Sequence, residues 1–331
     1  MLTPDNALRV VALGGGTGLS GTLKAIKSEA IREKQPWNIT GIVTTSDDGG
    51  SSGRIREEFG TIPPGDLRNC LSALTRDDSP LSELLSYRFS TNGSMSGHSL
   101  GNLMLSALAD ISGNWVRAIR QLSNILVTVG YLYPSSVDSI MLHAIDVNGK
   151  KLTGESEVNQ GIAPFKSLWI EPRGVEALPD SILSIQRADI IILSAGSLYT
   201  STIANLLIED IQEALRDSKA PIIYIANLMT EPNETLGMSL ENHLIAIKNW
   251  GGITPHAVIV NKTEPSRDMQ SRYQVEGGEP IFCHEPFCSG SQIFARDLID
   301  TNTPMARHSS IKLNEAIKEV IIKLKIGESK V

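Results

Sequence analysis

Apolar residues along the chain fall into two alternating patterns. The stretches "LRVVALGGG", "WNITGIVTTS", "ADIIILSAG", "APIIYIANLM" and "HAVIVNK" are near-continuous apolar, β-rich runs. Such runs suit strands of a sheet covered on both faces. Between and around them, "GTLKAIKSEAIRE", "TIANLLIEDIQEALRDS", "SLENHLIAIKNW" and the closing "SIKLNEAIKEVIIKLK" carry apolar residues at helical spacing. The last helix ends in a basic turn, which complements its dipole. Strand and helix in alternation predict an α/β fold with a mostly parallel sheet.

Two segments depart from that rhythm. From about 66 to 126 the pattern is helical throughout, in "GDLRNCLSALT", "HSLGNLMLSALADIS" and "NWVRAIRQLSNIL". This predicts a helical insertion. From about 138 to 160 the period shortens around Asn148-Gly149, a strong hairpin signal, and predicts an antiparallel excursion. There is no repeat, low-complexity tract or Pro/Ser-rich linker, so the expectation is a single domain over 1–331.

Small and polar residues collect where the strands end. The first strand runs into Gly14, Gly15, Gly16, Thr17, Gly18 and Leu19, and Gly16-x-Gly18-x-x-Gly21 fits a dinucleotide fingerprint opening a helix. Glycines let the backbone approach a pyrophosphate, and a helix N-terminus offers unpaired amides. A tight turn is the other reading, and the absence of G-K-[ST] excludes a P-loop. The second strand ends in Asp47 and Asp48. Adjacent carboxylates there suit ribose hydroxyls, a Mg2+ ion shared with phosphates, or proton abstraction, against the alternative of a solvated turn.

Further along, Pro63-Pro64-Gly65 sets a turn before Asp66, Arg68 and Asn69. Asp66 reads as a helix N-cap or a weaker metal ligand, and Arg68 as a phosphate clamp. In "SGHSLGN", His98 is a phosphate contact, an acid–base group or a cap, with Asn102 one turn on. "LSAGSLYTS" places Gly196, Ser197, Tyr199 and Thr200 after a third buried strand. Ligands of open α/β sheets bind at that edge, so these loops are expected to converge. Asn261, Lys262, Arg272, Tyr273, Arg307 and His308 are weaker polar outliers, each of which, taken singly, is more often surface than site.

Composition narrows the function classes. The 331 residues are 41% hydrophobic, with 30 basic against 37 acidic side chains and a net charge of −7. That balance argues against a non-specific nucleic-acid binder, which needs a basic footprint. The opening "MLTPDNALR" has no apolar signal-peptide core, and no stretch reaches the ~18 apolar residues of a membrane span. Cys70, Cys283 and Cys288 are too few for a disulfide framework, and C-x4-C without a second pair is a poor zinc pattern. A cytoplasmic location is expected.

Taken in order, "ALGGGTGLS", "TTSDDGGSSGRIR", "PPGDLRNCLSAL", "GHSLGNLML", "AGSLYTS", "IANLMTE" and "VNK" resemble the YvcK-type gluconeogenesis factor family. That family is the bacterial branch of the CofD-like superfamily, and the likeness runs from about Arg9 to Lys312. It implies a Rossmann-like CofD fold, a UDP-sugar ligand such as UDP-N-acetylglucosamine, and a role in cell shape and cell-wall precursor supply on gluconeogenic carbon sources. It places the Gly14–Leu19 and "AGSLYTS" loops around the nucleotide, and Tyr273 and Arg307 at the UDP-sugar. Asn227 and Lys262 join the candidate contacts through "IANLMTE" and "VNK". Ser309 departs from the acid more usual after "RH".

The sister branch, 2-phospho-lactate transferase, uses a guanosine diphospho donor and magnesium, and Asp47 and Asp48 match its acidic pair. Its second acidic motif, S-P-D-x-D-T, here reads "PPGDLRN", with arginine at the second acidic position. Replacing a carboxylate by a cation weakens a metal site. The expectation is therefore a regulatory nucleotide-sugar-binding protein requiring no cofactor, with Mg2+ as a candidate ion and an unidentified protein partner. A homo-oligomer stays open. The transferase is the alternative, and an NAD-dependent oxidoreductase the third reading.

Overall fold

The computed structural model describes residues 7–31, 36–76, 79–90, 92–275 and 277–326. The opening MLTPDN and the last two residues expected in the first helix, Arg32 and Glu33, lie outside them. The chain enters at β1 (Leu8–Gly14), in the middle of the main sheet, and returns through α1 (Gly16–Ile26) to β2 (Trp37–Val43). β1 and β2 pair in parallel, with Val11 opposite Thr40. Helices α2 (Gly50–Phe59), α3 (Pro64–Leu74), α4 (Leu81–Ser86), α5 (Leu100–Ser112) and α6 (Trp115–Leu126) follow, before the edge strand β3 (Tyr131–Pro134).

The helical insertion therefore begins earlier than its apolar pattern predicts. The Gly- and Ser-rich start of α2 has poor intrinsic helix propensity, but Ser51, Ser52, Gly53, Ile55 and Arg56 are buried, and packing overrides propensity. Arg56 also ties the segment down, donating to the carbonyls of Ser46 (3.4 Å), Asp47 (3.3 Å) and Ile140 (2.6 Å).

The expected hairpin is present as β4 (Met141–Ile145) and β5 (Lys151–Thr153), turning at Gly149 with φ +84°. It ends sooner than expected: after Thr153 the chain enters a short helix, α7 (Glu155–Val158). A third strand, β6 (Ser167–Glu171), pairs antiparallel with β4 and completes a small sheet ordered β5-β4-β6. Leu142, Ala144, Leu152, Leu168 and Ile170 turn one face of this sheet onto Val11, Leu13, Ile191 and Leu193 of the main sheet. The alternate positions Val10 and Ala12 pack on the other face, with Leu19 and Leu23 of α1 and Leu67 and Leu71 of α3.

The chain then crosses back to β7 (Ile190–Leu193), which pairs in parallel with the far side of β1, and continues through β8 (Ile222–Ile225) and β9 (Ala257–Asn261). β10 (Phe287–Cys288) and β11 (Ser291–Arg296) complete the order β3-β2-β1-β7-β8-β9-β11-β10, with only the β10–β11 pair antiparallel. The one long helix expected after β7 is divided into a π-helical turn, Leu198–Ile203, a short Ala204–Leu206 piece and the Glu209–Asp217 helix. No described helix is long and apolar enough to cross a membrane.

Strand order reverses between β1 and β7, and there α1 presses against the loop that follows β7. A Cβ on Gly18 would stand 1.7 Å from the carbonyl oxygen of Ala195, whereas one on Gly21 would meet nothing within 4 Å. Gly18, not Gly21, is the close-packing glycine, so the spacing to Gly21 has no steric meaning. Gly18→Ala is expected to lower stability by about 1–3 kcal/mol through overpacking. Gly21→Ala is expected to raise it by about 0.5–1 kcal/mol, through helix propensity alone. Urea denaturation of the two variants checks this pair.

Candidate functional site

The loops after β1, β2, β7 and β8 share one edge of the sheet. After β1, Gly15 is confined: a Cβ there would lie 2.7 Å from Thr44 Cγ2 and 2.9 Å from Asp66 Oδ2. Gly16, at φ +53°, donates its amide to Asp66 Oδ2 at 2.5 Å. Asp66 does not cap its own helix; Pro63 is the N-cap of α3, with no side-chain cap bond. Its carboxylate instead reaches across the crevice and takes the first amide of the glycine loop.

The loop after β7 is built in the same way. Gly196, at φ +132°, is clamped by Asn227, which accepts from its amide (2.9 Å) and donates to its carbonyl (2.8 Å). The amides of Leu198 (3.2 Å), Tyr199 (3.0 Å) and Thr200 (3.2 Å) and the hydroxyl of Ser197 all donate to the carboxylate of Glu234. Glu234 is fully buried. The amide cluster expected to hold phosphate thus holds the protein's own anion. Tyr199 is also buried, edge-on to Phe165 with ring centroids 4.8 Å apart. Ser197, Tyr199 and Thr200 shape the loop from within, and no pattern around Glu234 in "TEPNE" distinguishes it from a surface acid.

Three candidate residues meet at the rim. Arg307 is exposed and donates from Nη1 to Thr17 Oγ1 on the glycine loop at 3.2 Å. Tyr273 donates its hydroxyl to the carbonyl of Ala306 at 3.4 Å. Lys262 is exposed at the end of β9, with β8 and β7 between it and β1, and so stands outside this group.

Acids line the rest of the crevice, and the adjacent Asp47 and Asp48 diverge within it. Asp47 accepts from the Gly49 amide at 2.9 Å and faces Gly65 at the start of α3. Asp48 accepts from the amide (3.0 Å) and hydroxyl (2.7 Å) of Ser156 on α7. Next to Ser156, Glu155 accepts from the Thr200 hydroxyl at 3.4 Å and faces Asp47, Asp66, Asp48 and Glu234. Burial and these neighbouring charges push its carboxyl up to about 9. Burial and Asp47 raise Asp66 to about 7, against the opposing pull of the Gly16 amide and Arg68. Burial and Glu234 raise Glu231 to about 8, with Arg307 pulling the other way. Asp47 is raised chiefly by burial.

Among the described residues no three His, Cys, Asp or Glu groups converge as metal ligands. Asp48 is turned to Ser156 through Oδ1 and Asp66 to Gly16 through Oδ2, so the candidate metal carboxylates face different partners across the crevice.

The remaining candidates lie on the other side of α3. Arg68 donates from Nε to Asn102 Oδ1 (3.3 Å), Asn102 donates to Ser51 Oγ (3.1 Å), and Ser51 meets His98 Nδ1 (3.0 Å). Asn102 is buried on α5, whose N-cap is Ser99 and not His98. Asn69 follows on α3, half-buried.

An open parallel sheet entered from its centre, with a glycine-rich strand-to-helix turn where strand order reverses, defines a doubly wound, Rossmann-like α/β protein. Residues 10–299 match the family model described as 2-phospho-L-lactate transferase CofD, and the chain belongs to that family. It is 38% identical over 313 residues to the gluconeogenesis factor of Halalkalibacterium halodurans, covering 94% of this chain and 95% of that one. To the gluconeogenesis factor of Bacillus subtilis it is 33% identical over 316 residues, covering 95% and 98%. A crystal structure of a UPF0052-family protein from Bacillus halodurans superposes with a TM-score of 0.87 at 37% identity, covering 94% of this chain and 99% of the other.

The raised carboxyls set a pH dependence. Each holds its proton more tightly folded than unfolded, where ordinary values lie near ~4. The folded chain therefore binds more protons between that value and the folded values of about 7 for Asp66, 8 for Glu231 and 9 for Glu155. The stability these groups contribute is complete below the unfolded values and is lost as pH rises through 7 to 9. Urea midpoints measured from pH 5 to about 9 should fall with rising pH, and more gently in Asp66→Asn and Glu155→Gln.

Proposed function

We propose that this protein is a cytoplasmic regulatory member of the family that binds a UDP-sugar such as UDP-N-acetylglucosamine in the crevice at the ends of β1, β7 and β8. The observation that carries the reading is the Arg307–Thr17 bond. It brings a cation from the end of the chain onto the glycine loop at the strand-order reversal, beside Tyr273. An exposed guanidinium there supplies paired donors for a diphosphate, and a half-buried tyrosine supplies a flat face and a hydroxyl. Both internal amide clusters already carry carboxylates, so the phosphates fall to Arg307, Thr17 and the free edge of the glycine loop.

The relatives named gluconeogenesis factor support a role in growth on gluconeogenic carbon sources; cell-wall precursor supply as the outlet and a protein partner as the target are part of the proposal. Regulation of this kind needs two protein states that differ in ligand affinity. The name of the matching family model supports a second reading, a transferase using a nucleotide diphospho donor. The diverging Asp47 and Asp48 weigh against it, because that chemistry wants both carboxylates on one cation.

Thermal unfolding with UDP-N-acetylglucosamine, GDP and NAD, each with and without magnesium, separates the readings. The UDP-sugar is expected to stabilise the chain without magnesium, by roughly 2.7 kcal/mol at 100-fold over its dissociation constant. NAD is expected to do nothing, and no product should form over hours. Arg307→Gln is expected to weaken UDP-sugar binding roughly tenfold or more by removing charge-assisted bonds. Stabilisation by GDP with magnesium alone sinks the proposal in favour of the transferase.

A further inference from the structure

Two of the three cysteines come together at the edge of the main sheet beyond β9. Cys288 belongs to β10 and stands opposite Ser291 of β11. The turn between them is Ser289-Gly290, with φ of +47° and +89°, the left-handed pair that joins two strands most tightly. Ser291 is fully buried and donates its hydroxyl to the carbonyl of Pro255 at 2.6 Å. Gln292 donates its amide to the carbonyl of His256 at 3.0 Å. Cys288 therefore rides on a hairpin fixed to the core.

Cys283 approaches on a loop, since residues 281–286 form neither helix nor strand. Its thiol is aimed at the carbonyl of Glu285, 3.8 Å away, and its sulfur accepts from the thiol of Cys288. Both cysteines are free and half-buried, and both pack against the same apolar cluster as Ile293 and Ala295 of β11. The residues around them, His284, Glu285, Pro286, Phe287 and Ser289, are exposed. A small neutral oxidant can reach this pair, whereas Cys70 is sealed in the core.

A single half-buried thiol packs as a small hydrophobe. A second thiol in contact with it changes the chemistry, because it converts a sulfenic acid formed on the first into a disulfide. Burial, with Cys283 adding to it, raises the Cys288 thiol and keeps its proton in place. The first attack on an oxidant therefore falls to Cys283, and Cys288 resolves the product.

The loop that carries Cys283 continues from the back of the crevice wall. Ile281 donates to the carbonyl of Leu228 at 3.1 Å, and Thr230 donates to that of Glu279 at 2.7 Å. Glu279 in turn donates its amide to the Thr230 hydroxyl at 2.9 Å, and Gly278 donates to the carbonyl of Tyr273 at 2.9 Å. The strip 278–281 is thus bonded to the segment that carries Asn227, Glu231 and Glu234, and at its other end to Tyr273. Cys283 stands two residues beyond it.

We propose that Cys283 and Cys288 form a modification site for peroxides, which closes to a disulfide and pins the strip 278–281 to the β10–β11 hairpin. The Cys283 sulfur, losing its proton, displaces hydroxide from hydrogen peroxide and becomes a sulfenic acid; proton and hydroxide leave as water. The Cys288 sulfur then attacks that of Cys283, the S–S bond forms, and its proton leaves with the hydroxyl as a second water. The two thiols together lose two electrons, which reduce the O–O bond, and a thiol reductant reverses the change. Held at both ends, the strip opens less often, and the crevice wall in front of it is stiffened.

The test exposes the fully reduced chain to hydrogen peroxide, with intact mass, peptide mapping and amide hydrogen exchange as readouts. Free thiols are expected to fall from three to one, with loss of two hydrogens and no added oxygen. Cleavage after Phe287 is expected to leave the Cys283 and Cys288 peptides joined and Cys70 a thiol, and dithiothreitol to restore all three. Cys288→Ser is expected to gain oxygen at Cys283 instead, and Cys283→Ser to lose most of its reactivity towards peroxide. The amides of Thr230 and Ile281 are expected to exchange more slowly in the oxidised chain than in the reduced one, a difference absent from both variants.

Thiols that stay reduced overturn the proposal. So does oxygen added to both cysteines without a bond between them, or a disulfide that links two chains. Unchanged exchange at Thr230 and Ile281 in the oxidised chain overturns it as well, because the strip is then not pinned. A failed UDP-sugar reading leaves these results untouched, because no nucleotide is present.

Discussion

A buried carboxylate bound to backbone amides is the contact on which the rest of the crevice depends. β7 must end abruptly beside β1, and its exit leaves the amides of Leu198, Tyr199 and Thr200 pointing at one spot inside the protein. Each such donor left unpaired costs about 1–3 kcal/mol. Glu234 satisfies all three together with Ser197, and it comes from the segment that follows β8. The exits of β7 and β8 are therefore locked to each other, and Asn227 on the same segment holds Gly196 from both sides. Asp66 does the equivalent for the glycine loop, reaching over from α3 to Gly16. Internal anions thus fill the inward-facing amide positions, and Arg307 brings an exposed cation to the crevice rim.

The alternation of apolar runs and helical spacing made the doubly wound core legible, because strands buried on both faces and helices buried on one leave unmistakable periods. The hairpin at Asn148-Gly149 was legible for the same local reason. What escaped was set by tertiary context. The Gly50–Gly53 stretch looks like a loop and becomes helix because its residues are buried. β3, at four residues and ending in Pro134, and β10, at two, are too short to show a period. At the site, glycines mark where the backbone comes close, and Gly18 against Ala195 bears that out in steric terms. Which acids turn inward is not written locally. Glu155 in "GESEV" and Glu234 in "TEPNE" have the composition of ordinary surface turns, and only the packing of α7 and of the segment after β8 buries them. The meeting of Thr17, Tyr273 and Arg307 joins residues up to 290 positions apart, and only the family resemblance pointed to Tyr273 and Arg307 beforehand.

The segment "PPGDLRN" draws these threads together. A residue on a helix stands about 100° round from the one before, so Asp66 and Arg68 leave α3 on nearly opposite sides. Asp66 enters the crevice and bonds to Gly16, while Arg68 enters the insertion and bonds to Asn102. One helical turn therefore separates an acidic compartment, where Asp47, Asp66 and Glu155 hold their protons more tightly than usual, from the hydrogen-bonded chain of Arg68, Asn102, Ser51 and His98. A second carboxylate in place of Arg68 would not enter the crevice at all on this geometry; it would discharge the insertion instead. The arginine in this motif is thus more than the loss of a metal ligand. It is a charge placed on the far side of the same helix, where it organises α5 and the start of α2 through Asn102 and Ser51.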